Sequence, residues 1–151
     1  MFEEFKKKFN ILKEDIILPD INNFYVDKYD IKQVLNYLKT NSCFLLTRLD
    51  CIVAKDMQDF FEVSYILNSD FYNIKCCISC IISNKDMIIS SICEIFPSAN
   101  FDEREIFDLF GIKFLNHPNL KRILLPNSFI GHPLQKAYSM QDKRLEWNND
   151  R

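Results

Sequence analysis

Glycine is almost missing from this chain, with two in 151 residues, where an average composition would hold about 7%. A phosphate-cradling loop or a nucleotide-binding turn needs several glycines close together, and no such cluster is present. Histidine occurs twice and tryptophan once. Neither histidine stands in an H-E-x-x-H zinc helix, and no serine sits in a nucleophile elbow. No apolar run approaches the ~20 residues of a membrane-spanning helix; the longest candidate, residues 78–95, is broken by Asn84, Lys85, Asp86 and Glu94. The first nine residues lack the apolar core of a secretory signal, and Glu3 and Glu4 fit a transit peptide poorly, so neither is expected. A net charge of −2 argues against general nucleic-acid binding, which needs a broad cationic footprint.

What is present suits one soluble domain. The length allows a real core, and 48% apolar with 26% charged residues is ordinary for a globular protein. We expect a single domain over residues 1–138 and a short tail over 139–151. Phe2, Phe5, Phe9 and Leu12 stand at helical spacing, which predicts a first helix within residues 1–18, broken by Pro19, Asp20 and Asn22-Asn23. Asp30 is positioned to cap a second helix over 31–39, with Ile31, Val34, Leu35 and Leu38 on one face. The period then turns extended: residues 43–53, 60–67 and 72–83 read as strands, with 68–70 joining the last two as a hairpin and a fourth strand at 87–89. Ser90 or Ser91 is placed to cap a short helix to Phe96; Pro97 restarts the chain, and a helix of about two to three turns should run to Phe110, closed by Gly111 in the left-handed conformation. The order predicts an α+β fold of two layers, a mainly antiparallel sheet with helices on one face, followed by an extended C-terminal segment.

Two constellations invite a chemical reading. Cys77 and Cys80 form a C-x-x-C with Cys76 beside them, the spacing of a thiol redox pair or half a metal site. A strand alternates its side chains between faces, so Cys77 should point away from Cys76 and Cys80. Cys76 and Cys80 share a face but lie ~13 Å apart at a strand rise of ~3.3 Å per residue. Buried, inert thiols are therefore expected, with a free-standing thiol or metal protein as the alternative. Glu103, Glu105, Asp108, His117 and His132 include the usual proton-transfer types. Yet Arg104 and Asp108 are spaced for a plain i,i+4 ion pair, and only Glu105 and Asp108 face one another. Each histidine precedes a proline, which favours a tethered, extended backbone.

The third constellation is a division of charge. Residues 102–108 hold four carboxylates (Asp102, Glu103, Glu105, Asp108) and one cation, Arg104. Residues 109–141 hold no carboxylate, while Lys113, Lys121, Arg122 and Lys136 are cationic. Residues 112–138 form a long connection punctuated by Pro118, Pro126, Gly131 and Pro133; loops of this length in compact domains are commonly functional or docked. Its Ile123, Leu124, Leu125, Phe129, Ile130 and Leu134 each gain about 1.5–3 kcal/mol on full burial, so they call for cover on this domain or a neighbour. Lys121-Arg122 is the natural counterpart for carboxylates, either on the 102–108 helix or across an interface.

Glu103-Arg104-Glu105, Asp108, Phe110-Gly111-Ile112, the run from His117 and Pro118 to Leu124, and Gly131-His132-Pro133-Leu134 with Lys136 resemble the signature of the 30-kDa subunit family of respiratory complex I, the C-type chain of NADH:quinone oxidoreductase. Residues 61–67 are similar to that family's central strand. The resemblance implies a noncatalytic, structural subunit of a peripheral arm, with FMN, iron–sulfur clusters and quinone held by other subunits. It implies partners in the large quinone-site subunit and its cluster-bearing neighbours, and contact with the membrane only through the complex. The place implied is the cytoplasmic side of a bacterial inner membrane, or the matrix or stromal side of an organelle. The equivalent subunit of an energy-converting hydrogenase is the alternative. By position, Glu103, Arg104, Glu105, Asp108 and Gly111 would form the signature helix. His117, Pro118, Leu120, Lys121, Arg122, Gly131, His132, Pro133 and Lys136 would form the docking segment. Two departures stand out: Phe101 where the family usually has tryptophan, and Gln135 and Ala137 where it usually has an arginine and an acid.

Overall fold

The computed structural model describes residues 2–18 and 21–139. Most of the expected tail, 140–151, and the breakers Pro19 and Asp20 lie outside the described residues. The elements run α1 (Glu3–Lys8), β1 (Lys13–Leu18), β2 (Ile21–Tyr25), α2 (Ile31–Thr40), β3 (Arg48–Asp56), β4 (Phe60–Ser69), β5 (Ile74–Ser83), β6 (Ile88–Ser90), α3 (Ala99–Phe110) and β7 (Lys113–Leu115). A five-stranded sheet has the order β1-β2-β5-β4-β3, and β6 and β7 form a separate pair. The β3–β4–β5 meander and β1–β2 are antiparallel; β2 joins β5, and β6 joins β7, in parallel. The fold is α+β with a mainly antiparallel mixed sheet, as the sequence predicts.

One buried cluster unites the layers. Ile31, Val34, Leu35 and Leu38 line the apolar face of α2, as their spacing predicts. They join Phe24, Val63, Tyr65, Leu67, Ile78 and Ile82 of the sheet with Ala99 and Ile106 of α3. In β5, Cys76 and Cys80 face this core while Cys77 lies on the opposite face; all three are fully buried. Burial pushes the thiol pKa of Cys77 upward, that of Cys80 to about 12, and that of Cys76 higher still. On that opposite face, Asn23, Ser79, Ser64, Glu62, Tyr25 and Lys55 are linked by hydrogen bonds across four strands.

Three expectations need correction. The helical spacing of Phe2, Phe5 and Phe9 is real, since their rings meet Phe24, Phe44 and Tyr37. The helix nevertheless ends at Lys8, and Lys13–Leu18 pairs with β2 instead, leaving Leu12 57% exposed. The helix from Ser90 or Ser91 to Phe96 is a single turn held by Ile95 and Phe96 N–H on the Ile92 carbonyl. Ser91 does cap that turn, its hydroxyl accepting the Cys93 N–H while donating to Glu103. The fourth strand does not extend the main sheet, because its partner is β7, close to the signature helix.

Candidate functional site

Helix α3 and the residues after it make one construction. The helix runs twelve residues to Phe110 and closes on Gly111 at φ +78°, the left-handed geometry that glycine adopts without strain. A β-carbon there would stand 2.7 Å from His132 Cδ2, so close approach and backbone angle both require glycine. The last turn contains no basic residue, although a helix C-terminus attracts positive charge and leaves carbonyls unpaired. The following segment supplies the missing partners. Arg122 Nη1 donates to the Asp108 carbonyl at 3.3 Å, and His132 Nδ1 meets the same carbonyl at 2.9 Å. The Leu134 N–H donates to Leu109 O at 3.1 Å and Gln135 Nε2 to Phe110 O at 2.7 Å. Residues 116–138 are thus strapped across the end of α3.

The Asp108 side chain is the centre of the strap. Its carboxylate is fully buried, with Arg122 Nη1 at 2.6 Å from Oδ1. Oδ2 accepts three successive backbone N–H groups, from Ile123, Leu124 and Leu125, at 3.0, 2.8 and 2.9 Å. Burial pushes this carboxyl pKa up, but the three N–H bonds and the Arg122 bond outweigh it, so the net shift is downward. Arg122 also donates to the Gly131 carbonyl at 3.0 Å, tying the two halves of the strap together. The i,i+4 pair expected between Arg104 and Asp108 is replaced: Arg104 donates to the carbonyls of Lys121 and Arg122 at 3.1 and 3.2 Å. Glu105 is exposed while Asp108 is buried, so the two carboxylates do not share an environment.

Glu103 lies fully buried on the other side of α3. Oε1 accepts the Ile92 N–H at 2.7 Å, and Oε2 accepts the Ser91 hydroxyl at 2.6 Å and the Cys93 thiol at 3.4 Å. Burial raises its pKa, with those three donors and His117 pulling the other way. Cys93, Glu103 and His117 place one ligand-type atom each within 4.8 Å of the others, a grouping the sequence hides. The bonding of His117 is against a metal centre. Asn119 N–H donates to Nδ1 at 3.0 Å, so the proton belongs on Nε2, which faces the Asn100 carbonyl at 3.2 Å. A metal on Nε2 would need Nδ1 to carry the hydrogen, where a donor already points. The Cys93 thiol is pushed up to about 11, chiefly by burial.

The remaining sequence candidates fall into two groups. Leu120 packs against the core, and Gly131, at φ +92°, leaves room for Tyr138, whose Cε2 would be 2.7 Å from a β-carbon there. Pro133 is half-buried. Pro118, Lys121 and Lys136 are exposed, though the Lys136 backbone N–H donates to Asp56 Oδ2 at 2.8 Å. Sequence reasoning missed Asp102, whose carboxylate accepts the Ile52 N–H of β3 at 2.9 Å and so ties α3 to that strand. It also missed the inward role of Gln135; glutamine where an arginine fork was expected was the only signal.

The chain matches the family model described as the 30-kDa subunit of respiratory-chain NADH dehydrogenase over residues 24–144. The C-type chain of NADH-quinone oxidoreductase from Trichlorobacter lovleyi is 39% identical over 118 residues, covering 77% of this chain and 73% of that protein. The C/D-type chain of the same oxidoreductase from Buchnera aphidicola subsp. Cinara cedri is 34% identical over 149 residues, 92% of this chain but 25% of the relative. This chain therefore spans between a quarter and about three quarters of those relatives. Among solved structures, a trypsin-resistant fragment of Nqo5 superposes with a TM-score of 0.65 at 26% identity, covering 78% of this chain and 94% of that one. Among the described residues no helix is long and apolar enough to cross a membrane. On the match over residues 24–144, the chain belongs to the 30-kDa subunit family of respiratory-chain NADH dehydrogenase.

Proposed function

We propose that this chain is a noncatalytic, structural and assembly subunit in the peripheral arm of a proton-translocating NADH:quinone oxidoreductase. It docks the quinone-site subunit and iron–sulfur subunits, and holds no flavin, cluster or quinone itself. The observation that carries this reading is the strap: a long, carboxylate-free segment fixed to α3 by Asp108 and Arg122, with aliphatic side chains left outside. A segment fixed this firmly, yet uncovered on one side, suits contact with another polypeptide better than chemistry. Of the polar groups that resemble an acid–base set, Asp108 and His132 hold the strap, Glu103 holds the turn after β6 and His117 is bonded to the backbone of Asn100 and Asn119, which supports a structural role for those four. The Buchnera relative, named as C and D together, supports a neighbour of the D type. Association with the membrane is peripheral and through the complex, on the side that faces NADH.

Removing the gene and supplying it again tests this reading. Membranes without the chain should lose quinone-linked NADH oxidation and regain it when the chain is restored, and the purified chain alone should oxidise no NADH. Turnover by the isolated chain, or full activity of membranes lacking it, would contradict the reading.

A further inference from the structure

Polar and apolar side chains are sorted along the strap. Arg122, His132 and Gln135 turn inward to α3. Leu124, Ile130 and Leu134 turn outward, 59%, 59% and 50% exposed. Single exposed apolar residues need no explanation, but these three are fixed in place. The Leu124 N–H is bonded to Asp108 and the Leu134 N–H to the Leu109 carbonyl, while the Ile130 carbonyl accepts the Tyr138 hydroxyl at 3.4 Å. A backbone held this way stops the side chains from folding back under cover, so they are displayed at little ordering cost to a binding event. Along the strap itself the charge has one sign: Lys121 and Lys136 are exposed and residues 109–139 contain no carboxylate, while the Asp56 carboxylate beside it accepts the Lys136 N–H.

From this arrangement we infer, resting on the docking role proposed above, that Leu124, Ile130 and Leu134 anchor the contact. Three such side chains on one strap fit a partner polypeptide that offers an apolar groove rimmed by carboxylates. An anionic lipid surface also attracts lysines set beside exposed aliphatics. That mode uses an amphipathic helix lying in the interface, whereas this carrier is an irregular strap bonded at separate points to one helix end. Anchors of fixed geometry match pockets in another protein, where a few central residues carry most of the affinity. The lysines supply charge complementarity at the rim, which governs encounter rate and partner choice more than affinity.

A photoreactive amino acid placed singly at positions 124, 130 and 134, in the chain assembled in its native membrane complex, tests the assignment. Position 71 serves as the control: Phe71 is 76% exposed just beyond the far end of β4, whereas the strap meets Asp56, which pairs with Phe61 at the near end. The expected result is cross-linking of all three strap positions to one polypeptide, through peptides rich in aspartate or glutamate. Leu124→Ala and Leu134→Ala should each lower recovery of the chain with the complex by about tenfold while thermal unfolding of the chain stays unchanged. Links only to lipid or to a second copy, or links from position 71 but none from the strap, would overturn the assignment and leave the subunit role standing. A chain that neither links at any of the four positions nor co-purifies with the complex would overturn both.

Discussion

Replacing Asp108 by asparagine should release the strap without unfolding the domain. The carboxylate is fully buried and accepts three backbone N–H groups at 2.8–3.0 Å besides the Arg122 guanidinium at 2.6 Å. Asparagine keeps the shape, loses the charge, and turns an amide NH2 toward groups that are themselves donors. Breaking a buried pair of this kind costs about 3–5 kcal/mol. Release limits the damage: once residues 121–136 lift away, their N–H groups find water, while α2, α3 and the sheet keep their common core. The cost therefore falls on local opening rather than global unfolding. At about 1.4 kcal/mol per tenfold, opening should become roughly two to three and a half powers of ten more frequent. Hydrogen exchange at the Ile123, Leu124 and Leu125 amides reads this directly, and tryptic cleavage after Lys121 and Arg122 reads it independently. Acid should act the same way on the native chain. The Asp108 pKa is depressed, so its contribution is present above the unfolded value of about 3.9 and is lost as pH falls through the lower folded value. Exchange at those three amides unchanged in the variant, or loss of the strap and core in a single transition, would refute the reasoning.

Three further outcomes follow from the geometry. The Glu103 pKa is raised by burial, so the stability it contributes is complete below its unfolded value of about 4.3 and is lost as pH rises through the folded value. Glu103→Gln should flatten the decline in denaturation midpoint above a pH of about 4.3, and a variant with the same pH profile as the native chain would contradict this. Thiol labelling of the folded chain should reach exposed Cys43 and spare Cys76, Cys77 and Cys80 until unfolding; rapid labelling of those three in the folded chain would remove their assignment to packing. Gly111→Ala should destabilise by about 1–2 kcal/mol from the left-handed backbone alone, with more from the contact with His132, and denaturant unfolding would show it; an unchanged midpoint would count against a required glycine.

How much of this could be read from residue order depends on the range of the interactions. Helix α2 and the β4–β5 hairpin were legible because their patterns are local: a 3.6-residue apolar period, and β-branched runs around a turn. The turn itself falls at 70–73, later than expected, with Asn73 at φ +51°. Strand β2 was hidden because Asn22 and Asn23 read as a breaker, and its place is set by parallel pairing with β5, which lies far along the chain. Gly111 and the end of α3 at Phe110 were visible, although its twelve residues exceed the two to three turns expected. The pairing of Asp108 with residues 122–125 was not, since a carboxylate in a helix shows no sign of which loop will return to it. The charge division between 102–108 and 109–141 did point to an attraction between the two, and the Asp108–Arg122 bond satisfies one of the two alternatives the sequence left open. It also alters the meaning of the signature residues: Asp108, Arg122 and His132 hold the strap in shape and Glu103 holds the turn after β6, while Leu124, Ile130 and Leu134 stay exposed.

The most direct test of the central claim is purification of the tagged chain from native membranes, followed by identification of its companions and assay of the separated chain for flavin, iron and zinc. A structural subunit should arrive in fixed proportion with the quinone-site and cluster-bearing polypeptides, and once separated should carry no prosthetic group. Recovery of the chain alone from the soluble fraction, with a stoichiometric metal or flavin of its own, would contradict the account.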